Sequence, residues 1–344
     1  MIDADAALDT RRLARWLADA GIASGEVRDV RPLVGGTQNL ILRLACGGEN
    51  LVVRRPPPDR AGADRTVRRE ATVLAALAET DVPHPRFRGF CEDADVMGGS
   101  FLVTDEVQGF NATNEMPGAA GTNPQHRREM GFALVDALAR LSKVPLSTGG
   151  LATLGKPDGF LERQVERWAA QLAGYAETPG WSGDALGPVA EVGAWLQANL
   201  PSDYQPGLMH GDYHIANVLY DPAEPRVAAI LDWEMAAIGD PLLDLGRLTT
   251  VWPNARNEGL LSLKVEPWGG FPDEAAMIDR YAQATGRSMA SLPWFQMLAC
   301  YKFAIVLEGT NVRAAAGKAD PAVAARLHAS ACGLIAKAVQ VMAG

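Results

Sequence analysis

The stretch Leu208–Asp221, "LMHGDYHIANVLYD", sets two histidines, two aspartates and an asparagine among Leu208, Met209, Ile215, Val218 and Leu219. Polar groups this dense beside apolar neighbours are costly to bury without partners. A second acidic cluster follows in "AAILDWEMAAIGDPLLDL". Asp232 ends an apolar run, the usual place for a site residue at a strand's end, and Glu234, Asp240 and Asp244 come soon after. Carboxylates gathered near one site repel each other unless a cation or a base offsets them.

Three chemistries fit these residue types. His210, Asp212 and His214 alternate, so on a strand they would share one face and offer a transition metal its ligands. Against this, only His84, His126 and His328 remain elsewhere, each isolated in sequence. A structural reading has the same groups capping helices and tying loops. It suits His214 taken alone better than it suits the whole set. The third reading is phosphoryl transfer. Mg²⁺ prefers oxygen ligands and shares itself between one or two protein groups and substrate phosphates, which Asn217 and Asp232 could serve. Asp212 precedes Asn217 at the spacing of the kinase catalytic loop, where an Asp orients the attacking hydroxyl and an Asn binds metal.

The elements that must position these groups fall into two kinds. "LARWLADAGI" is apolar on one face and reads as an amphipathic helix. Asn39–Leu44 and Asn50–Arg54 are short apolar runs joined by a Gly-Gly turn, and Pro56, Pro57 and Pro58 end the second. "TVRREATVLAALAET" has helical spacing, with Val67, Leu74 and Leu77 on one face. "FRGFCEDADVMGGSFLVTDEV" reads as two further strands around a second Gly-Gly turn. After the irregular "QGFNATNEMPGAAGTNP" the pattern is mostly helical to the end. The expected fold class is α+β: a small strand-rich lobe over 1–106 with a leading helix, a linker over 107–112, and a larger helical lobe over 113–344. A cleft between such lobes is a common binding site.

The 344 residues are 48% hydrophobic, enough for one large core or two moderate ones. The net charge of −9 disfavours non-specific nucleic-acid binding, which needs Lys and Arg to neutralise phosphates. Cys46, Cys91, Cys300 and Cys332 form no Cys-x-x-Cys pair, which suggests neither a disulfide framework nor a zinc knuckle and points to a reducing cytoplasm. No membrane span is read, and the acidic "MIDADAALD" does not resemble a signal peptide. The expectation is a cytoplasmic protein without nucleic-acid or membrane partners; oligomeric state is not legible.

"HGDYHIAN", "ILDWE" and "GDPLLDL" together resemble the Brenner motif and the metal motif of the aminoglycoside phosphotransferase family. That family has a protein-kinase-like bilobal fold and includes choline-kinase-like and other small-molecule kinases. "LVVRRPP" and "DEVQG" resemble its broad phosphotransferase branch, which includes kinase-like domains fused to some acyl-CoA dehydrogenases. The resemblance covers nearly the whole chain. It implies ATP and Mg²⁺, with Asp212 as catalytic base, Asn217 and Asp232 as metal ligands, and His210 and Asp244 as supports of the loop. Glu234 is placed near metal or substrate, or in a surface or loop-tethering role.

The same resemblance asks the first lobe for a cation on a strand, held by an acid on a helix, to grip phosphates. "LVVR" puts Val52 and Arg54 on one strand face and Leu51, Val53 and Arg55 on the other. Val52 is expected at the adenine, Arg54 at phosphate and Glu70 as its partner, with Arg55 the rival. An Arg here departs from the usual kinase lysine. Gly35, Gly36 and Thr37 of "LVGGTQN" are placed over the phosphates through backbone N–H groups, and backbone near Glu106 and Val107 at the adenine edge. The implied substrate is a small molecule with a hydroxyl: an aminoglycoside-like cation, a hydroxylated acyl thioester, an amino alcohol or another metabolite. Trp252, Trp268, Tyr301 and Arg313 are candidate acceptor contacts, with aromatic core packing the default. A nucleotide-binding regulatory module without catalysis is the alternative function.

Overall fold

The structure, a computed structural model, describes residues 9–33, 39–56, 62–183, 186–259 and 264–342. Its first elements are α1 (Thr10–Asp19), β1 (Arg28–Pro32), β2 (Leu40–Cys46), β3 (Glu49–Arg55), α2 (Ala63–Leu77), β4 (Phe87–Cys91), α3 (Ala94–Met97) and β5 (Phe101–Asp105). Then come α4 (Gly118–Thr122), α5 (Pro124–Leu141), α6 (Phe160–Tyr175), α7 (Val189–Ala198), β6 (Gly207–Met209), β7 (Val218–Tyr220), β8 (Val227–Ile230) and β9 (Ala237–Gly239). The chain closes with α8 (Leu242–Val251), α9 (Glu274–Thr285), α10 (Leu292–Ala315) and α11 (Pro321–Met342). Two compact units result: Met1–Gly109 with Leu146–Leu154 and Ala228–Ala236, and Phe110–Pro145 with Gly155–Val227 and Ala237–Gly344.

The first unit is built on an antiparallel sheet of order β1-β2-β3-β5-β4. Strands β2 and β3 each extend beyond the apolar runs that predict them. The turn between them is Gly47-Gly48, with φ of 59° and 89°. Positive φ at both turn residues matches the right-handed twist of the flanking strands and favours glycine. Alternation on β3 buries Leu51 and Val53 with Leu42, Leu44, Phe101 and Val103, and α1 closes that core with Leu13 and Leu17. Val52 and Arg54 therefore share the opposite face. Between β4 and β5 the structure forms α3 rather than a simple hairpin turn. Asp93 caps it by accepting from the Asp95 N–H, and Gly98 ends it in the left-handed conformation.

The second unit is mainly helical. All ten residues of α8 are buried, so its two charged residues, Asp244 and Arg247, must find partners inside. α10 packs against both α8 and α11. The short strands β6 and β9 pair antiparallel, Leu208 opposite Ile238. Among the described residues α11 is the one helix long and apolar enough to cross a membrane by length and composition. Here Ala324, Ala331, Leu334, Ile335 and Ala338 of α11 are buried.

Candidate active site

Strand β6 delivers His210, Gly211 and Asp212 into a loop, not into a continuing strand. The loop's backbone is held by side chains from both sides. Asp244, in the first turn of α8, accepts from the N–H of His210 at 2.6 Å and of Gly211 at 2.8 Å. Lys302 of α10 donates to the Gly211 carbonyl at 2.6 Å. Asn217 Nδ2 donates to the Asp212 carbonyl at 2.9 Å, and Asn111 Nδ2 to that of Ala216 at 2.6 Å. Gly211 sits at φ 85°, where a side chain would be strained. His210 is fully buried, and its Nδ1 accepts from the Asp212 N–H at 3.3 Å. Its burial and its bond to the loop's own backbone make it a support of the loop, and among the described residues it gathers into no metal trio with Asp212 and His214.

The Asp212 carboxylate is partly exposed and flanked by buried groups. Arg247 Nε donates to its Oδ1 at 3.1 Å, and His214 Nε2 lies 3.6 Å from Oδ2. Burial alone would raise the Asp212 carboxyl; the Arg247 guanidinium, then His214, overcome it and hold the group well below the usual carboxylate range. Burial pushes His214 down, so its ring is neutral at pH 7, with Nδ1 accepting from the Ala216 N–H at 3.2 Å. Burial also pushes the Lys302 ammonium down, to about 8, although Asp212 and Asp244 pull it up. The Arg247 guanidinium stacks 3.8 Å from the Phe303 ring centroid, and its Nη1 has no hydrogen-bond partner among the described residues.

The first unit holds its own constellation. Arg54, 9% exposed, donates from Nη1 to Glu70 Oε1 at 2.8 Å. Its Nη2 reaches Asp232 Oδ1 at 2.6 Å and Glu234 Oε2 at 3.3 Å. Burial would lower the Arg54 guanidinium, but Glu70, Asp232 and Glu234 raise it above its ordinary value. Burial drives Glu70 up to about 7 against the pull of Arg54, and the charges of Asp232 and Glu234 add to the rise. Arg55 points elsewhere and donates to the Met97 carbonyl. Asp232 is a non-glycine residue at φ 65°, a conformation that costs roughly 1–3 kcal/mol and clusters at functional sites. Its side chain stays 41% exposed. Glu234 also accepts from Asn39 Nδ2 at 3.3 Å, so it is a loop tether as well as an Arg54 partner.

The remaining expectations divide. Val52 is half-buried on the Arg54 face of β3. The Glu106 N–H is committed to the Asn50 carbonyl at 3.0 Å, and among the described residues the Glu106 carbonyl and the Val107 N–H take no backbone partner. Gly35, Gly36 and Thr37 lie outside the described residues. Asp240 pairs with Arg287 inside the fold and belongs to no acidic site. Trp252, Trp268 and Phe271 pack on one another, Tyr301 is buried, and Arg313 donates to Thr310, so core packing accounts for the aromatic candidates. Sequence reasoning missed Arg247 and Lys302. The signal was a lone cation inside an otherwise apolar helix, once in "LLDLGRLTTV" and once in "ACYKFAIV".

Asn217 and Asp232 each offer oxygen, the donor type a hard divalent cation prefers. Among the described residues Asn217 commits its amide nitrogen to the Asp212 carbonyl and Asp232 gives Oδ1 to Arg54, with Asn217 Oδ1 and Asp232 Oδ2 given no partner. The two residues fall in different units. Among the described residues no group of three or more His, Cys, Asp or Glu is gathered to hold a metal by itself.

A strand arginine bound to a helix glutamate, and an Asp-x4-Asn loop on a helical unit, define a protein-kinase-like phosphotransferase. The chain belongs to the phosphotransferase enzyme family, whose model matches residues 29–292. A crystal structure from Ralstonia eutropha JMP134, of a protein given the provisional name aminoglycoside phosphotransferase, superposes with a TM-score of 0.80 at 28% identity, covering 97% of this chain and 98% of that one. Acyl-CoA dehydrogenase family member 11 of Gallus gallus is 32% identical over 301 residues, 85% of this chain and 37% of that protein. The aminoglycoside 3'-phosphotransferase of Streptomyces fradiae is 27% identical over 243 residues, 67% of this chain and 77% of that enzyme. The chain thus spans little more than a third of the length of the dehydrogenase relative it matches.

Proposed function

We propose that this chain is an ATP- and Mg²⁺-dependent kinase that transfers the γ-phosphoryl group to a hydroxyl of a small molecule. The observation that carries the reading is the Asp212 loop. A partly exposed carboxylate is fixed by Arg247, while Asp244, Lys302 and Asn217 pin the backbone on either side of it. Asp212 would accept the acceptor's hydroxyl hydrogen bond and aim its oxygen at phosphorus. Held well below the usual range, Asp212 is a weak base, so it would orient the hydroxyl first and take the proton late, as the O–P bond forms. Phosphoryl transfer suits this division, because its catalysis is largely positioning and charge neutralisation.

Asn217 and Asp232 are the residues that would hold Mg²⁺, which when bound neutralises charge on the phosphates. Arg54, its Nη1 held by Glu70, would turn its Nη2 from Asp232 to a phosphate oxygen, and the Glu106 carbonyl with the Val107 N–H would meet the adenine edge. Residues 107–112 would form the connection between nucleotide and acceptor machinery. Two buried cations, Arg247 and Lys302, lie beside Asp212. The carboxylates of Asp212 and Asp244 offset their charge, and Nη1 of Arg247, unpartnered among the described residues, favours an acceptor with an oxygen acceptor near its hydroxyl. The test is an ATP-consumption screen over hydroxyl metabolites, neutral, anionic and cationic, with products weighed by mass spectrometry. A product heavier by one phosphoryl group is expected. ATP binding without any product across the library would favour a nucleotide-binding regulatory module instead.

A further inference from the structure

Away from the Asp212 loop, α10 and α11 carry a second array of titratable groups. His328 and Cys332 stand one turn apart on α11, against Glu308 of α10. Glu308 is fully buried. Its Oε1 accepts from Trp181 Nε1 and from Asn311 Nδ2, each at 2.7 Å. Its Oε2 lies 2.6 Å from His328 Nδ1. A buried carboxylate at Nδ1 favours the tautomer with its proton on that nitrogen, and in that tautomer Nε2 is the acceptor. Nε2 lies 3.5 Å from Cys332 Sγ. The order is therefore thiol, imidazole and buried carboxylate, with each group in reach of the next.

A polar strap between two helices would need only His328 and Glu308; it places no demand on what faces Nε2. Access also singles out this thiol. Cys46, Cys91 and Cys300 are buried, whereas Cys332 is partly exposed and the His328 side chain is 24% exposed. Burial, then the Glu308 charge, pushes the Cys332 thiol up. It rests protonated, so its reactivity depends on a base at the moment of attack.

We propose that Cys332 is a thiol-modification site for low-molecular-weight disulfides, with His328 as its base and Glu308 as the group that positions the imidazole. In the exchange, Sγ attacks one sulfur of the disulfide as its proton passes to His328 Nε2. The S–S bond of the reagent breaks, a mixed disulfide forms on Cys332, and the departing thiolate takes the proton from His328. One thiol is consumed and one released, so no further oxidant is required.

The experiment treats the full chain with glutathione disulfide and follows mixed-disulfide formation by peptide mass spectrometry. Native Cys332 is expected to react faster than the same residue in the urea-unfolded chain, with Cys46, Cys91 and Cys300 unlabelled in the native protein. His328→Asn keeps a donor near the Nδ1 position for Glu308 but has nothing at Nε2. Its rate at Cys332 should fall about tenfold or more, toward the lower end of positioned-base effects, with Tm little changed. Glu308→Gln should lower the rate less. If His328→Asn proves unstable, the native-to-unfolded rate ratio of the wild-type chain decides alone. A native rate at or below the unfolded one, or an unchanged or faster rate in a folded His328→Asn protein, overturns the proposal.

Discussion

Lys302→Met offers a perturbation whose magnitude follows from the structure. Lys302 is 5% exposed, donates to the Gly211 carbonyl at 2.6 Å, and has its ammonium pushed down from 10.5 to about 8. Between those two values the unfolded chain binds more protons than the folded one, so the stability of the wild-type chain rises with pH across that window. Integrating the proton difference from pH 7 to pH 9.5 gives a gain of about 2 kcal/mol from this group. Methionine has no proton to lose, so the variant lacks the gain. At pH 7 the two proteins should be close in stability. The variant escapes a charge-burial cost of about 3 kcal/mol, but it gives up a charge-assisted hydrogen bond worth roughly 1.5–3 kcal/mol. The assay is urea denaturation of both proteins from pH 7 to pH 9.5, read as the difference in unfolding free energy. That difference should move in favour of the wild type as pH rises. A flat difference would refute the buried, depressed ammonium and with it the account of how the Asp212 loop is held.

Asp232→Ala should leave the fold intact, keep a β-carbon at the same left-handed φ, and abolish Mg·ATP binding in calorimetry; unchanged affinity would remove Asp232 from the metal. Glu70 is pushed up from 4.5 to about 7, so the folded chain binds more protons than the unfolded one through that window. Wild-type stability should therefore fall as pH rises from about 4.5 to about 7, and Glu70→Gln should flatten that fall in metal-free denaturation curves. Asp244→Ala strips the acceptors from two buried N–H groups and should cost roughly 2–5 kcal/mol. A thermal melt within a degree of wild type would show that the His210–Gly211 backbone finds other partners.

Local pattern made part of this molecule legible. Asp212 and Asn217 lie in one short loop, so their spacing is visible without the fold. Strand alternation separates Arg54 from Arg55 before any contact is known, and the structure sends the first to Glu70 and the second to Met97. What stayed hidden depends on distance along the chain. Asp232 meets Arg54 across 178 residues, and no period in the sequence announces that pairing. Arg247 and Lys302 sit in helices whose apolar residues dominate the pattern, so their charges read as interruptions rather than as partners of the loop. His328 looks isolated because its partner Glu308 is on another helix, twenty residues away. The second Gly-Gly pair, Gly98-Gly99, reads as a hairpin turn, yet Asp93 at the other end starts a helical turn that Gly98 ends.

The central claim is that Asp212 orients and deprotonates a hydroxyl during phosphoryl transfer. The direct measurement is steady-state turnover of Asp212→Asn with the acceptor found by the screen, alongside Mg·ATP affinity by calorimetry. Asparagine keeps the size and an oxygen for Arg247 but cannot take a proton. Turnover is expected to fall by about 10²-fold or more, with Mg·ATP affinity within a factor of a few of wild type. Turnover at the wild-type level in that variant would contradict the account.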